Sequence, residues 1–446
     1  MRYFYADFLV VVKAGLPSHS LFSRRATSYK KDFIDCRLTK GSATIRVFRS
    51  LRNRNYLLFW SCDLLASVGH FIREVALYWI AYEITGSAMA LGVLGLCEAA
   101  PRLVLGALAG ALVDRHDRLR LLVLTQFASA LPVFAFLALY LNGVLEFWHL
   151  LALEVVFGAI RSINPSASQS LLRDLVSSDD LMNAVALYTL GFNLARVLGP
   201  SLGGVSVLWI GVGGCFFGYG VSLVLSGLGI LFIRLPRFQA GTGERNLLRE
   251  IREGVRYSWG APVILASIGA GYVLSVFVGT YQRFLPVFAK EVLDVGPDGL
   301  GMLMAAPGLG AIVSVMFLAT IGEKWRREFL LWATATVTPL FLILFCVSRN
   351  FFLSVGLLAL VGGGQISFRT ISRVIIQIEV PHSLLGRVMS IFNLDQGMRS
   401  VGSLVIGAFA TLFGAALGLG LTSLMSLAAT TALFYRLMGS RPRARA

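Results

Sequence analysis

Residues 110–120 read Gly-Ala-Leu-Val-Asp-Arg-His-Asp-Arg-Leu-Arg, and this stretch decides the fold. Long apolar segments flank it, and between them stand Asp114, Arg115, Asp117, Arg118 and Arg120. A connection this short forces its two helices to lie side by side and antiparallel. Its charges must stay in water or in lipid headgroups, because a charge at mid-bilayer costs several kcal/mol. The stretch therefore pins a helical hairpin at one membrane face. Gly106 and Gly110 form a GxxxG just before the charges, a spacing that lets a neighbouring helix approach closely.

Composition extends this reading to the whole chain. Of 446 residues, 56% are hydrophobic and 14% charged, and the mean hydropathy is +0.73. A soluble domain carries about 25% charge, so a polytopic membrane protein is predicted. Its helices must associate by close packing and hydrogen bonds, which suits the 46 glycines. The net charge of +16 could suggest nucleic acid. The basic residues, however, lie between apolar segments and at the two ends, a positive-inside pattern with no nucleic-acid partner. Cys36, Cys62, Cys97, Cys215 and Cys346 are scattered without a C-x-x-C pair, so neither a disulfide framework nor a zinc site follows. The histidines lack H-E-x-x-H spacing and no G-x-x-x-x-G-K-[ST] occurs, so ATP hydrolysis by this chain is not expected. No metal and no cofactor is predicted.

Residues 1–55 hold Arg24, Arg25, Lys30, Lys31, Arg37, Lys40 and further basic residues without a spanning segment. They read as a disordered or surface-lying cytoplasmic extension. A helix needs about 20 residues to cross a bilayer. Stretches of that kind fall at 56–84, 90–113, 119–141, 148–171, 182–208, 212–234, 261–289, 299–321, 329–348, 351–372, 384–411 and 415–436. The fold predicted is all-α, with about twelve transmembrane helices. One set of loops carries Arg115, Arg118, Arg120, Arg173, Arg234, Arg326, Arg327, Arg373 and Arg387; the opposite set carries only Lys290 and Arg349. Both termini are therefore expected in the cytoplasm. The domain reading is an N-terminal half at 56–235, a linker at 236–260, a C-terminal half at 261–436 and a basic tail at 437–446. In the linker, Leu247, Ile251 and Val255 recur every four residues among charges, which suggests an amphipathic helix on the inner surface.

The two halves align on each other. Leu94-Gly95 and Ala99-Ala100-Pro101 match Leu300-Gly301 and Ala305-Ala306-Pro307. Farther on, Leu181, Arg196, Gly199 and Gly204 match Leu384, Arg399, Gly402 and Gly407, in a register shifted by a loop insertion. A matched arginine inside an apolar helix is hard to reach by chance. Two parallel six-helix pseudo-repeats with a cavity between them are a transporter architecture.

The G-x-x-x-D-R-x-x-R pattern at Gly110–Arg118 resembles the signature between the second and third helices of major facilitator superfamily transporters, although Asp117 stands where that signature usually has Gly. Thr85-Gly86-Ser87-Ala88, Pro101-Arg102, Asn164-Pro165, Asn193 through Gly204 and Gly386-Arg387-Val388 add to the match. Together they resemble the branch holding enterobactin-exporter-like and macrolide-efflux-like proteins, over most of the chain after residue 50. The resemblance implies the major facilitator fold. It also implies a gating role for Gly110, Asp114, Arg115, Asp117 and Arg118, with Arg173 or Arg387 as partner of Asp114. Gly199, Pro200, Gly203 and Gly204 resemble the antiporter motif of the superfamily, and would make a bent fifth helix that seals the outer side of the cavity. Gly158 stands where many antiporters of the superfamily have Arg, a departure from their proton-relay pattern.

Charges inside spans are the strongest signal from the residues themselves. Asp63, Arg73, Glu74, Glu98, Glu154, Arg161, Arg196, Arg369, Asp395 and Arg399 all fall within apolar stretches. Each should face the bundle interior, a partner or water. Glu74 and Glu98, then Glu154, are the candidates for carrying a proton; each could instead pair with Arg73 or Arg161. Asp395 and Arg399 stand four apart on one helix face and could neutralise each other. Arg196 and Arg399 occupy equivalent helices of the two halves. With Asn193, Arg161 and Asp395 they form the candidate substrate cavity. The expectation is a monomeric exporter of the bacterial inner membrane, not an enzyme, moving a siderophore-like or amphipathic drug-like molecule against a proton gradient. An importer or facilitator on the same fold, or a membrane sensor or scaffold, is the alternative.

Overall fold

The computed structural model describes residues 49–177, 180–234, 255–321 and 325–439. The N-terminal extension up to residue 48, most of the linker and the tail from residue 440 lie outside the described residues, and with them Cys36 and the expected amphipathic helix before residue 255.

The described chain is helical with no strand. Its helices are α1 (Arg54–Thr85), α2 (Ala88–Arg115), α3 (Arg118–Leu141), α4 (Phe147–Arg161), α5 (Asn164–Leu175), α6 (Leu181–Leu231), α7 (Pro262–Phe277), α8 (Pro297–Ile321), α9 (Arg327–Val347), α10 (Phe351–Glu379), α11 (His382–Asn393), α12 (Asp395–Phe413) and α13 (Ala415–Gly439). Among the described residues, nine helical segments are long and apolar enough to cross a membrane. One of them, α6, has 51 residues and would run roughly 75 Å if straight, more than twice the ~30 Å hydrocarbon core. It is two crossings joined at Gly211, whose φ of 72° and ψ of 176° suit only glycine. With α2 and the α11–α12 pair, helices occupy all twelve expected spans.

Three of those spans are broken where a single helix was expected. The fourth divides into α4 and α5, because Pro165 starts a new helix at Asn164-Pro165. The eleventh divides at Leu394 into α11 and α12. The seventh ends as an α-helix at Phe277 and continues as a tight turn, Tyr281–Phe284, and a π-turn, Phe288–Val292; Pro286 lacks the N–H that a continuous helix would use. The first span begins before residue 56. Asn53 caps α1, and its Nδ2 donates to the Leu175 carbonyl at 2.8 Å, while the Ser50 amide donates to Asn183 at 3.0 Å. Residues 50–55 thus belong to the helical body, not to the extension.

In the first half α1 packs along α6, α3 lies between α6 and α4, and α2 lies on α4; in the second half α10 packs on α8 and α9, and α13 on α7, α9 and α12. The halves meet chiefly through two seams, α6 on α8 and α2 on α12. In the repeat alignment, each seam sets the fifth span of one half on the second span of the other. The glycines that the repeat equates do the same work in both. A Cβ on Gly204 would lie 2.9 Å from the Gly301 Cα, and one on Gly407 would lie 3.2 Å from the Gly92 Cα. Gly203, one residue earlier, lies against α1 instead, with Ile72 Cα 3.1 Å from its Cβ position. Both seams run through the end that carries the 86–87 and 293–296 turns. At the basic-loop end, α4 and α5 share no packed face with the second half among the described residues. The halves therefore join at one end and diverge at the other.

Replacing Gly204 with Leu should force α6 off α8, an overpacking that costs about 1–3 kcal/mol. Spin labels at positions 209 and 302 should then report a longer distance than in the parent; an unchanged distance distribution would reject this seam as a gate.

Candidate functional site

The side chains that could do chemistry gather where α1, α2, α4 and α6 of the first half face the Tyr281–Phe284 turn and α12 of the second. At the centre is Glu98, on α2 and buried. It accepts from Arg102 Nη2 at 2.7 Å on its own helix and from Arg283 Nη2 at 3.1 Å across the seam. Arg283 also donates from its other two nitrogens. Its Nε donates to the Tyr78 hydroxyl at 3.0 Å, and Nη1 donates to Ser403 Oγ on α12 at 2.5 Å. Tyr78 in turn donates to Glu74 Oε1 at 3.4 Å. Glu74 and Glu98 lie within electrostatic reach of each other, so the two leading candidate acids do share one network. A second tie between the halves sits nearby, where the Tyr82 hydroxyl donates to Glu291.

Arg283 was not among the candidate residues. The signal was present: Thr280-Tyr281-Gln282-Arg283 is a polar tetrad inside an apolar stretch. The broken seventh span turns this tetrad inward, because the backbone freed by the break sits inside the protein rather than against lipid.

Glu154 behaves differently. It forms a two-pronged ion pair with Arg73 on α1, both fully enclosed. The Arg73 guanidinium also lies 4.1 Å from the Phe157 ring centroid. Arg161 shares that ring at 5.6 Å and donates to the Tyr219 hydroxyl at 3.0 Å. A cavity of about 10 Å³ beside the Glu154–Arg73 pair, lined by Leu77, Pro132 and Phe216, has room for one water molecule and no cargo. The glycine at 158 also has a physical reason. A side chain there would run into the Glu98 backbone, whose Cα is 3.4 Å from the Cβ position.

In the second half the expected Asp395–Arg399 pair is replaced. Asp395 takes Arg369 Nη2 from α10 at 3.3 Å and Ser275 Oγ from α7 at 3.4 Å. Four-residue spacing put Arg399 on the same face, but α10 brings a guanidinium in from the other side. Arg196 and Arg399 are both half-buried, as is Asn193. Arg196 sits where α6 crosses α8, its carbonyl 3.4 Å from the Cβ position of Gly308.

In the loop between α2 and α3, Asp117 caps α3 by accepting from the Leu119 and Arg120 amides at 2.9 and 3.4 Å. Arg118 donates to Asp174 at 2.5 Å, and Arg115 and Arg173 are exposed. The surroundings of Gly110 and the side chain of Asp114 lie outside the described residues. Of the antiporter-like glycines, Gly199 and Gly203 pack on α1 and Gly204 on α8, with Pro200 inside α6. Among the described residues no cluster of metal-ligating side chains occurs.

Comparison with known proteins agrees with this geometry. The family model described as transmembrane secretion effector matches residues 45–442. The multidrug efflux pump Tap of Mycolicibacterium fortuitum is 27% identical over 373 residues, covering 80% of this chain and 90% of that protein. The enterobactin exporter EntS of Shigella boydii is 24% identical over 321 residues, covering 70% and 72%. Among solved structures, an inward-facing, unoccupied bacterial homologue of the human lysosomal transporter Spinster superposes with a TM-score of 0.67 at 13% identity, over 89% of this chain and 98% of that one. The buried charge network, the paired sextets of helices and the family match over nearly the whole length lead to one statement: this multi-pass membrane protein belongs to the transmembrane secretion effector family of major facilitator superfamily transporters.

Proposed function

We propose that this transporter exports a small organic molecule, siderophore-like or amphipathic and drug-like, in exchange for an entering proton. It would sit in a bacterial inner membrane with both termini cytoplasmic. The positive-inside distribution of arginine supports that orientation. It makes the diverging end of the bundle the cytoplasmic one, the side from which an exporter loads.

The observation that carries this reading is the Glu98–Arg283 pair across the seam. An ionised Glu98 ties the halves at the outer end, and a protonated one releases its hold on Arg283. A proton arriving from outside at this carboxyl therefore acts on the contact that must open and close in alternating access. Asp114 keeps its gating role within this proposal, as a charge at the inner hairpin.

Everted membrane vesicles carrying the protein test the proposal. A lactate-driven inward proton gradient, reported by acridine orange quenching, should partly collapse when a transported compound from a siderophore and drug panel is added. Asp114→Asn should slow this response several-fold while leaving the amount of protein in the membrane unchanged. Flux of such a compound that persists after complete uncoupling of the gradient would reject proton exchange, and gradient-driven movement in the opposite sense would make the protein an importer.

A further inference from the structure

We propose that the interior just inside the two seams is an anion site, in which Arg196, Arg399 and Tyr281 take a carboxylate group of the cargo. The word cargo rests on the exporter reading; the site itself does not.

Position comes first. α6 as far as Gly211, and α12, both run from the basic-loop end toward the sealed end. Arg196 precedes the tight stretch Gly199–Gly204, and Arg399 precedes the stretch Ser403–Gly407 that packs on Gly92. The two arginines thus sit just inside the seal, one from each half. The Tyr281–Phe284 turn packs on both α2 and α12, and Tyr281 lies within electrostatic reach of Arg196 and Arg399. Arg399 and Arg196 are also electrostatic neighbours of each other.

Charge balance comes second. Glu98 is taken by Arg102 and Arg283, Glu154 by Arg73, and Asp395 by Arg369. Among the described residues, Arg196 and Arg399 have no carboxylate within ion-pairing distance. Asp395, already held by Arg369, is the carboxylate in electrostatic reach of Arg399, and two guanidiniums inside a membrane bundle without an ion-paired carboxylate of their own are costly. An anion arriving between them offsets that cost, and the arginine fork matches a carboxylate in two-pronged geometry.

The third observation is independent of charge. The Tyr281 hydroxyl is buried without a hydrogen-bond partner, and so is Arg399 Nε. Tyr281 is 1% exposed. A buried phenol left without a partner is unfavourable, and a carboxylate oxygen beside Arg399 would accept its O–H.

The test is equilibrium binding of radiolabelled phthalate, a compact aromatic dicarboxylate, to the full chain in lipid nanodiscs with no gradient. Dimethyl phthalate serves as the uncharged analogue and tetraphenylphosphonium as the cation. Phthalate should bind saturably, unlabelled dimethyl phthalate should compete at least tenfold less well, and tetraphenylphosphonium should not compete. Arg196→Gln and Arg399→Gln should each weaken binding at least tenfold, and Tyr281→Phe about threefold. The Arg196→Lys/Arg399→Lys double variant keeps both charges but not the fork, so it should bind more weakly than the parent and more tightly than the glutamine variants, which also reports that the site still folds. No saturable phthalate binding in the parent, or unchanged binding in the Arg196→Gln/Arg399→Gln variant, would overturn the anion site. Absence of gradient-driven flux with this binding intact would instead remove the exporter reading and leave the site standing.

Discussion

Arg283→Gln is expected to abolish transport and to loosen the end of the bundle at which the two halves join. The wild-type guanidinium spends its donors on Glu98, Tyr78 and Ser403, which belong to α2, α1 and α12. Glutamine keeps some hydrogen bonding but cannot reach three elements or balance Glu98. Truncating one partner of a buried, hydrogen-bonded charge pair costs about 2–5 kcal/mol. Applied to the equilibrium between inward- and outward-facing states, that shifts the population by roughly thirtyfold or more. Distances between spin labels across the Gly204–Gly301 seam should lengthen and broaden. Glu98→Gln is the companion experiment: it keeps the shape and removes the titratable charge, so residual flux should no longer respond to the proton gradient. Wild-type distances together with gradient-sensitive flux in both variants would remove the Glu98–Arg283 pair from the mechanism.

The second large effect is on stability. Glu154→Ala should destabilise the protein by about 3–5 kcal/mol, because it strands a buried guanidinium. Arg73 is 2% exposed, its Nε has no partner, and its guanidinium also lies over the Phe157 and Tyr219 rings. Replacing both partners with apolar residues, Arg73→Met with Glu154→Leu, should recover most of the loss, since a buried pair and a well-packed apolar pair differ little. Thermal unfolding in detergent measures both. Should the double variant unfold as early as the single one, the pair is not the source of the effect. Should Glu154→Gln unfold at the wild-type temperature yet lose gradient-driven flux, Glu154 would be the proton carrier and Glu98 the structural acid. The proposed proton exchange uses Glu98 instead, because Glu98 bridges the halves whereas Glu154 pairs within one of them.

The broken helices explain why part of the site escaped the sequence. A window of apolar residues registers a span, and it does so equally for a straight helix and for one that turns at Val278–Thr280. Only the break brings Arg283 back over Glu98. The partner of Asp395 is hidden from the sequence for a related reason. Spacing of four along one helix names a possible neighbour, yet Arg369 on α10 competes for the same carboxylate, and which guanidinium wins depends on where the fold places α10 relative to the start of α12. The glycine seams lie at the opposite extreme. Gly204 with Gly407 and Gly95 with Gly301 are visible as repeat matches in the chain, and Gly204, Gly301 and Gly407 are found at the closest approach of the halves.

What the chain determines by itself is therefore the number of crossings, the sidedness of the charges, the duplication and the set of ionisable groups that lipid will not tolerate. Each follows from local cost: water-free surroundings demand apolar stretches of fixed length, and every exception must find a partner. The tertiary structure alone decides which exception meets which. Charges far apart in sequence, Glu98 with Arg283 and Asp395 with Arg369, pair because helices from separate parts of the chain cross at close range, and no property of either residue's own helix specifies the other.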